Sequence, residues 1–317
     1  MKIKLIGVRG SLPTPSDNKE YRNKIRNILY RAIDKGLSDV TQINNFINNL
    51  PEYLQFNYGG NTTCVTLTSN SGKLYLIDCG SGLRALGDEL LSTEFGKGKG
   101  HLKVFITHCH WDHIQGLPFF KPIYIPGNII EFYSPYENLE ENLIAQMNSP
   151  FFPAPFNGTA STKKFHLLKE GEPFKLEDDL SVDFYPLKHP GGSFAFRFKE
   201  AGKIFIFATD AEFSGETLEK TGNHTDFFMN ADLLILDSQY TLDEHFRKFD
   251  WGHTSYTVAV NCGVRWKVKH LVLTHHEPSN NDEKLKNILN GAIQHRNEMK
   301  TKEPVIHLAR EGMIFGL

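Results

Sequence analysis

Four residues of metal-binding type stand within six positions of the stretch VFITHCHWDHIQGLPFF, Val104 to Phe120: His108, His110, Asp112 and His113. Val104, Phe105 and Ile106 form a short apolar run ahead of them, the pattern of a strand buried on both faces. Side chains two apart on an extended chain share a face, so His108 and His110 converge on one point. Asp112 and His113 follow where the chain turns, and Gln115 to Phe120 open the next segment. Three imidazoles and a carboxylate suit zinc, and also manganese or iron. With 14 His in 317 residues, a chance cluster of this density is a poor explanation.

Other apolar runs end on residues of the same chemical kind. KLYLID stops at Asp78, LSVDFYPLKH at His189, GKIFIFATD at Asp210, ADLLILD at Asp237 and KHLVLTHH at His275 and His276. Ligand sites in α/β sheets gather beyond strand ends, where loops converge, so the whole set points to a metal site without further help. Asp78 has two readings: it orients an imidazole ligand through the ring's second nitrogen, or it serves the turn and helix that follow.

The first strand alternates Ile3, Leu5 and Gly7 and runs into GVRGS, whose glycines allow a tight turn and close backbone approach. From Pro13 to about Phe56 the period changes. Ile25, Ile28, Leu29 and Ala32, then Val40, Ile43, Phe46 and Ile47, recur at helical spacing, with Gly36 and Pro51 as breakers. This predicts a helical insertion at about 13–56, acting as a lid or packing on the surface. YGGNTTCVTLTS resumes strand character, and Asn61 and Thr62 after its glycine turn offer donors. The run QMNSPFFPAPF, Gln146 to Phe156, is kept out of central strands and helix interiors by its prolines. Its aromatics would stack on a substrate base, meet a second subunit, or pack as an ordinary loop.

Composition sets limits. The chain is long enough for one large α/β domain with a sizeable core, and no internal repeat or low-complexity linker divides residues 1–317. Lys plus Arg number 35 against 37 Asp plus Glu, so the basic excess of proteins that grip long phosphate backbones is missing. Cys64, Cys79, Cys109 and Cys262 are dispersed without CxxC spacing, which fits reduced thiols in the cytoplasm. MKIKLIGVRG is too short an apolar run for a signal peptide or a membrane span.

HCHWDH resembles the HxHxDH signature of the metallo-β-lactamase-fold hydrolases, and THCHWDHIQGLPFF is similar to their ribonuclease Z-like and cyclic-phosphodiester-cleaving branch. The likeness extends through GVRGS, YGGNTT, LIDCGSG, DSQY and DWGHTSYTVAVNCGVRWKVKHLVLTHHEP, and leaves out 13–56 and much of 121–175. It implies an α/β fold, an αββα sandwich of two mixed β-sheets flanked by helices. It implies two divalent metal ions, Zn²⁺ first and Mn²⁺ second. His108, His110 and His189 would hold one, Asp112, His113 and His275 the other, with Asp210 bridging. His275 is preferred to His276 because it directly follows the LVLT strand.

The same resemblance makes Asp112 catalytic as well as ligating and makes Asn61 a substrate-binding residue. His253, just ahead of a helix N-cap at Thr254 or Ser255, becomes the general acid. Histidine at 110, where diiron oxygen-reducing relatives carry an acidic residue, favours hydrolysis. Two metal ions generate a nucleophile from water at neutral pH and neutralise charge on phosphoryl oxygens. The expected activity is hydrolysis of small cyclic phosphodiesters, 3′,5′-cyclic nucleotides foremost, by a cytoplasmic homodimer with no membrane partner and nucleic acid as a lesser one. The rivals are a tRNA 3′-end endonuclease of the ribonuclease Z kind, a phosphoribosyl cyclic phosphodiesterase and, last, a non-catalytic metal-binding protein.

Overall fold

A computed structural model describes residues 1–171, 173–213, 226–248 and 250–317. The strands are β1 (Lys2–Gly7), β2 (Cys64–Thr68), β3 (Leu74–Ile77), β4 (His101–Phe105), β5 (Ile129–Ser134), β6 (Thr162–Leu167), β7 (Phe174–Lys175), β8 (Leu180–Leu187), β9 (Ser193–Glu200), β10 (Lys203–Ala208), β11 (Leu233–Asp237), β12 (His270–Thr274), β13 (Val305–Leu308) and β14 (Ile314–Gly316). Among the described residues they form two seven-stranded sheets, ordered β14-β1-β2-β3-β4-β5-β6 and β13-β12-β11-β10-β9-β8-β7. Both sheets follow one plan although the sequence carries no repeat. Antiparallel strands lead into a parallel run, β3 to β6 in the first sheet and β10 to β13 in the second.

Alternation along the buried strands builds three cores. On β4, Phe105 faces the space between the sheets, where its ring lies 5.2 Å from Tyr133 and Phe198 and 5.5 Å from Phe196. Its neighbour Val104 faces outward to Leu83, Leu86 and Leu90 of one helix (Leu83–Leu90) and Leu139 and Leu143 of another (Leu139–Gln146). Behind the second sheet, Leu234, Leu236, Leu271 and Leu273 pack on two helices, Tyr256–Arg265 and Asp282–Glu298. The result is the expected αββα sandwich. Removing a ring such as Phe105 would cost about 3–5 kcal/mol, since transfer and cavity terms add.

The 13–56 segment does form helices, at Asn18–Asp34, Ile43–Asn48 and Glu52–Gln55. Asp17 opens the first with a capping box shared with Glu20. None of that helix's residues is buried, however, and Tyr21, Ile25, Leu29, Tyr30 and Ile33 are exposed. The helical period therefore does not serve this chain's own core.

Register decides where the chemistry goes. Ile77, Phe105 and Tyr133 lie level across β3, β4 and β5, so the segments holding Asp78 and His108 leave the sheet at one edge. Ala208 pairs with Leu236 and Asp237 with Thr274, which brings Asp210, Asp237 and His275 to the matching edge of the second sheet.

Candidate metal centre

Three of these strand ends turn through left-handed backbone, at Asp78 (φ 59°), Asp210 (φ 57°) and His275 (φ 61°). Non-glycine residues held there cost of order 1–3 kcal/mol each, and such strain persists where surrounding structure fixes it. In each case the chain bends where the side chain enters the cluster.

Two groups of ligand atoms meet around Asp210: His108, His110 and His189 on one side, Asp112, His113 and His275 on the other. Asp210 Oδ1 lies 3.7 Å from His108 Nε2, 3.6 Å from His189 Nε2 and 3.4 Å from His275 Nε2, while Oδ2 is 2.9 Å from His113 Nε2. Asp112 Oδ2 stands 3.3 Å from His113 Nε2 and 3.7 Å from His275 Nε2, and accepts from the backbone N–H of Ser11 at 2.8 Å. His110 Nδ1 is 3.0 Å from His189 Nε2.

The outward nitrogens explain how the rings are aimed. Asp78 Oδ2 lies 2.7 Å from His113 Nδ1 and accepts from the Thr107 hydroxyl, which is itself 3.1 Å from His108 Nδ1. One carboxylate thus orients two imidazoles, which settles its role against that of a turn residue. His189 Nδ1 donates to Gly252 O at 2.9 Å, and His275 Nδ1 is 3.4 Å from the Thr63 hydroxyl. Holding Nδ1 directs Nε2 inward with its lone pair free, the arrangement of ligating histidines. Two glycines make room. A Cβ on Gly10 would lie 2.4 Å from His275 Cδ2, and one on Gly252 would lie 2.3 Å from His189 Nδ1.

His108 Nε2, His113 Nε2, His275 Nε2 and Asp210 Oδ2 are buried with no hydrogen-bond partner; the 2.9 Å approach of His113 to Asp210 is not aligned for one. Buried polar atoms left unpaired cost about 1–3 kcal/mol apiece, and ligation to metal ions would engage all four. Burial lowers the pKa of His108, His110 and His275, which favours the neutral, ligating form. Burial opposes charge at His113 too, but Asp210, Asp112 and Asp78 outweigh it and raise its pKa. The donor set, imidazole and carboxylate without thiolate, fits two divalent ions of the zinc or manganese kind.

Asp237 and His253 could be counted as a third group with His275, since their ligand atoms also lie close together. Asp237 is already engaged. Its Oδ2 accepts from Asp210 N at 3.0 Å and lies 2.7 Å from His253 Nδ1, and its Oδ1 accepts from Gln239 N and Thr254 N. It therefore positions His253 and ties it to the Asp210 backbone. The His253 ring stacks on His275 at 4.9 Å and meets His189 edge-on at 5.3 Å, touching one histidine of each group. Burial works against its charge, yet Asp237, backed by Asp210 and Asp112, raises its pKa. Ser255 is the N-cap of the following helix, its side chain accepting from Val258 N.

Two other residues named from the sequence belong to neither ligand group. His276 turns away, its Nε2 2.9 Å from Ala309 O, and burial followed by Arg9 lowers its pKa to about 3. Asn61 bonds within the fold: Nδ2 donates to Glu311 Oε2, Oδ1 accepts from the Ser81 hydroxyl, and its carbonyl accepts from Val8 and Arg9 N–H. The strand-end pattern includes Asp237 without assigning it a partner, and the GVRGS turn marks the close approach made at Gly10; nothing in the sequence marks the Ser11 N–H bond to Asp112.

A family model described as the beta-lactamase superfamily domain matches residues 74–276. The chain is 26% identical over 265 residues to ribonuclease Z of Prochlorococcus marinus (strain NATL1A), covering 65% of this chain and 78% of that relative. Among solved structures, a metallo-β-lactamase fold protein of Bacillus subtilis superposes with a TM-score of 0.63 at 16% identity, covering 99% of this chain and 98% of the other. A diphosphatase of the PhnP family does so with a TM-score of 0.60 at 17% identity, covering 100% and 97%. The chain belongs to the β-lactamase superfamily, as a metallo-β-lactamase-fold hydrolase of the ribonuclease Z-like branch.

Proposed function

We propose that this hydrolase opens small cyclic phosphodiesters, with 3′,5′-cyclic nucleotides as preferred substrates and nucleoside monophosphates as products. The observation that carries the reading is the Asp237–His253 pair set against both ligand groups, in contact with His189 on one side and His275 on the other. His108, His110 and His189 would hold one divalent ion, Asp112, His113 and His275 a second, and Asp210, common to both groups, would serve both. When bound, the pair of ions, Zn²⁺ by preference and Mn²⁺ next, supplies a nucleophile from water and neutralises charge on the phosphoryl oxygens.

The chain's own groups do the rest. Asp78 and Thr107 fix the imidazoles, and Ser11 N–H orients the Asp112 carboxylate, which we assign as catalytic as well as ligating. Asp237 holds His253 by Nδ1, so Nε2 is the atom that hands a proton to the departing ribose oxygen. A role for Asn61 in substrate binding is supported by its place on a cavity of about 600 Å³ beside Ser81, Arg84 and Gln115.

A second reading has specific support. The relatives named ribonuclease Z favour an endonuclease cutting tRNA 3′ ends. A net charge of −2 speaks for the small diester over a long nucleic acid. Metal-quantified protein assayed on cyclic nucleotides, phosphoribosyl cyclic phosphates and precursor tRNA decides. Turnover of precursor tRNA with none of the cyclic nucleotides would replace the first reading by the second.

The same proposal takes residues 1–317 as one domain, supported by β14 pairing with β1. It places the protein in the cytoplasm, supported by four free cysteines; no helix among the described residues is long and apolar enough to cross a membrane. A homodimer is supported by the exposed Tyr21, Ile25, Leu29 and Ile33. Sedimentation of an Ile25→Glu, Leu29→Glu variant tests it, and a wild-type monomer would remove it.

A further inference from the structure

A cavity of about 660 Å³ opens beside the HCHWDH loop, on the side of the short helix Trp111–Ile114 that carries Trp111. Its size lies within the range of small-molecule sites. Trp111, Phe119, Phe151 and Phe152 give it four aromatic walls, and no charged side chain among the described residues lines it. Trp111 and Phe151 are each 77% exposed, an unusual price in water for rings of this size unless something stacks on them. Phe119 and Phe152 meet edge to face at 5.6 Å, which fixes one wall.

Cys109, Ile114, Pro118 and Ala145 add further uncharged lining, and the amides are Gln115, Asn142 and Gln146. Gln115 gives its Nε2 to the Thr62 hydroxyl at 3.0 Å, and Gln146 gives its Nε2 to Ile114 O at 3.1 Å. In both side chains the oxygen is the group left over, and Gln146 Oε1 is buried without a partner. Uncharged aromatic faces with the Gln115 amide oxygen beside them match a planar, neutral heteroaromatic ring bearing amino groups, while Gln146 Oε1 lies buried beneath the wall. They do not match a phosphate, which needs cations or a nest of N–H groups. The inner wall belongs to the catalytic loop itself. Trp111 lies between His110 and Asp112, so its Cα is about 3.8 Å from the Cα of each.

We propose that this cavity is a nucleobase subsite, in which Trp111 and Phe151 stack on the base of the substrate whose phosphodiester lies at the metal centre. The assignment rests on the phosphodiesterase reading above and adds to it the requirement for a base. It gives Trp111 a binding role at a position that the metal-ligand pattern leaves open.

Two measurements test it on full-length, metal-quantified protein. The first is the ratio of kcat/KM for a 3′,5′-cyclic nucleotide to that for a base-free ribose cyclic phosphate, taken in Trp111→Ala and Phe151→Ala. The ratio is expected to fall roughly 5- to 150-fold, the range spanned by base–aromatic stacking, and to recover in Trp111→Phe. An unchanged ratio overturns the subsite. The second is binding without chemistry, read from tryptophan fluorescence in a Trp251→Phe background, where Trp266 is buried and Trp111 is the exposed indole. Adenosine monophosphate should quench it and ribose 5-phosphate should not; equal effects, or none, overturn the subsite. Quenching by the nucleotide without turnover of any cyclic nucleotide would keep the subsite and remove the substrate reading. Turnover with no quenching and no change in ratio would do the reverse.

Discussion

Replacing His253 and Asp237 separately and together tests whether they act as one proton-donating unit. His253 Nδ1 lies 2.7 Å from Asp237 Oδ2, and no other described side chain holds that ring by a hydrogen bond. His253→Ala removes the donor, and general acid catalysis is worth about 10²–10⁴ in rate. Asp237→Asn keeps the size but removes one charge-assisted hydrogen bond, worth roughly 1.5–3 kcal/mol, or about 10- to 150-fold. If Asp237 serves the reaction only through His253, the double variant is no slower than His253→Ala alone, since residues acting as a unit are strongly non-additive. The assay is kcat/KM on a cyclic nucleotide and on a nitrophenyl phosphodiester. A ribose alkoxide needs a proton as it leaves and a nitrophenolate does not, so the losses should concentrate on the cyclic nucleotide. Asp237 also accepts from Asp210, Gln239 and Thr254 N–H, so metal content and thermal midpoint are measured alongside. Additive losses, or equal losses on both substrates with metal retained, would refute the unit.

Asp210→Asn, which removes charge while tolerating the left-handed backbone, should lower bound metal below two ions per chain; stoichiometry by elemental analysis checks it, and full loading would contradict the shared ligand. Gly10→Ala places a Cβ 2.4 Å from His275 Cδ2, so stability should drop by about 1–3 kcal/mol and metal affinity with it, as read by denaturant unfolding and metal titration. Glu131 sits 2.7 Å from His101 Nε2 and 2.8 Å from His166 Nε2. Burial opposes its charge, but hydrogen bonds from Tyr133, His101 and His166 hold its pKa at about 2. A carboxylate depressed in the folded state stabilises above its ordinary pKa of about 4.5 and loses that effect as pH falls towards 2. Glu131→Gln should therefore cost about 1–2 kcal/mol near pH 7, after screening at the half-exposed histidines, and the cost should shrink across that window in urea melts.

The sequence by itself determined the strands and the chemical kind of their ends. HCHWDH after an apolar run, and apolar runs stopping at His189, Asp210 and His275, are local patterns, because burial on both faces demands unbroken hydrophobicity and ligands demand imidazole or carboxylate. Helix formation at 18–34 was local for the same reason, being set by period and by the Asp17 cap. What faces those helices was not, since an apolar stripe reads the same whether it is buried or left exposed. The tertiary structure alone decided which of two adjacent histidines turns inward, for His275 and His276 differ only in the backbone twist that sends one to Asp210 and the other to Ala309. It alone gave Asp78 two imidazoles to orient and Asp237 one, because the first pairing needs β3 and β4 level in the sheet and the second needs the loop ahead of the helix Tyr256–Arg265 to fold back over the end of β11. It also brought Phe151, from a proline-rich loop with no period of its own, to the same cavity as Trp111. Residue type and spacing fix what a side chain can do; which partner it does it with depends on contacts across tens to hundreds of residues, and those exist only once both sheets have closed on their shared core.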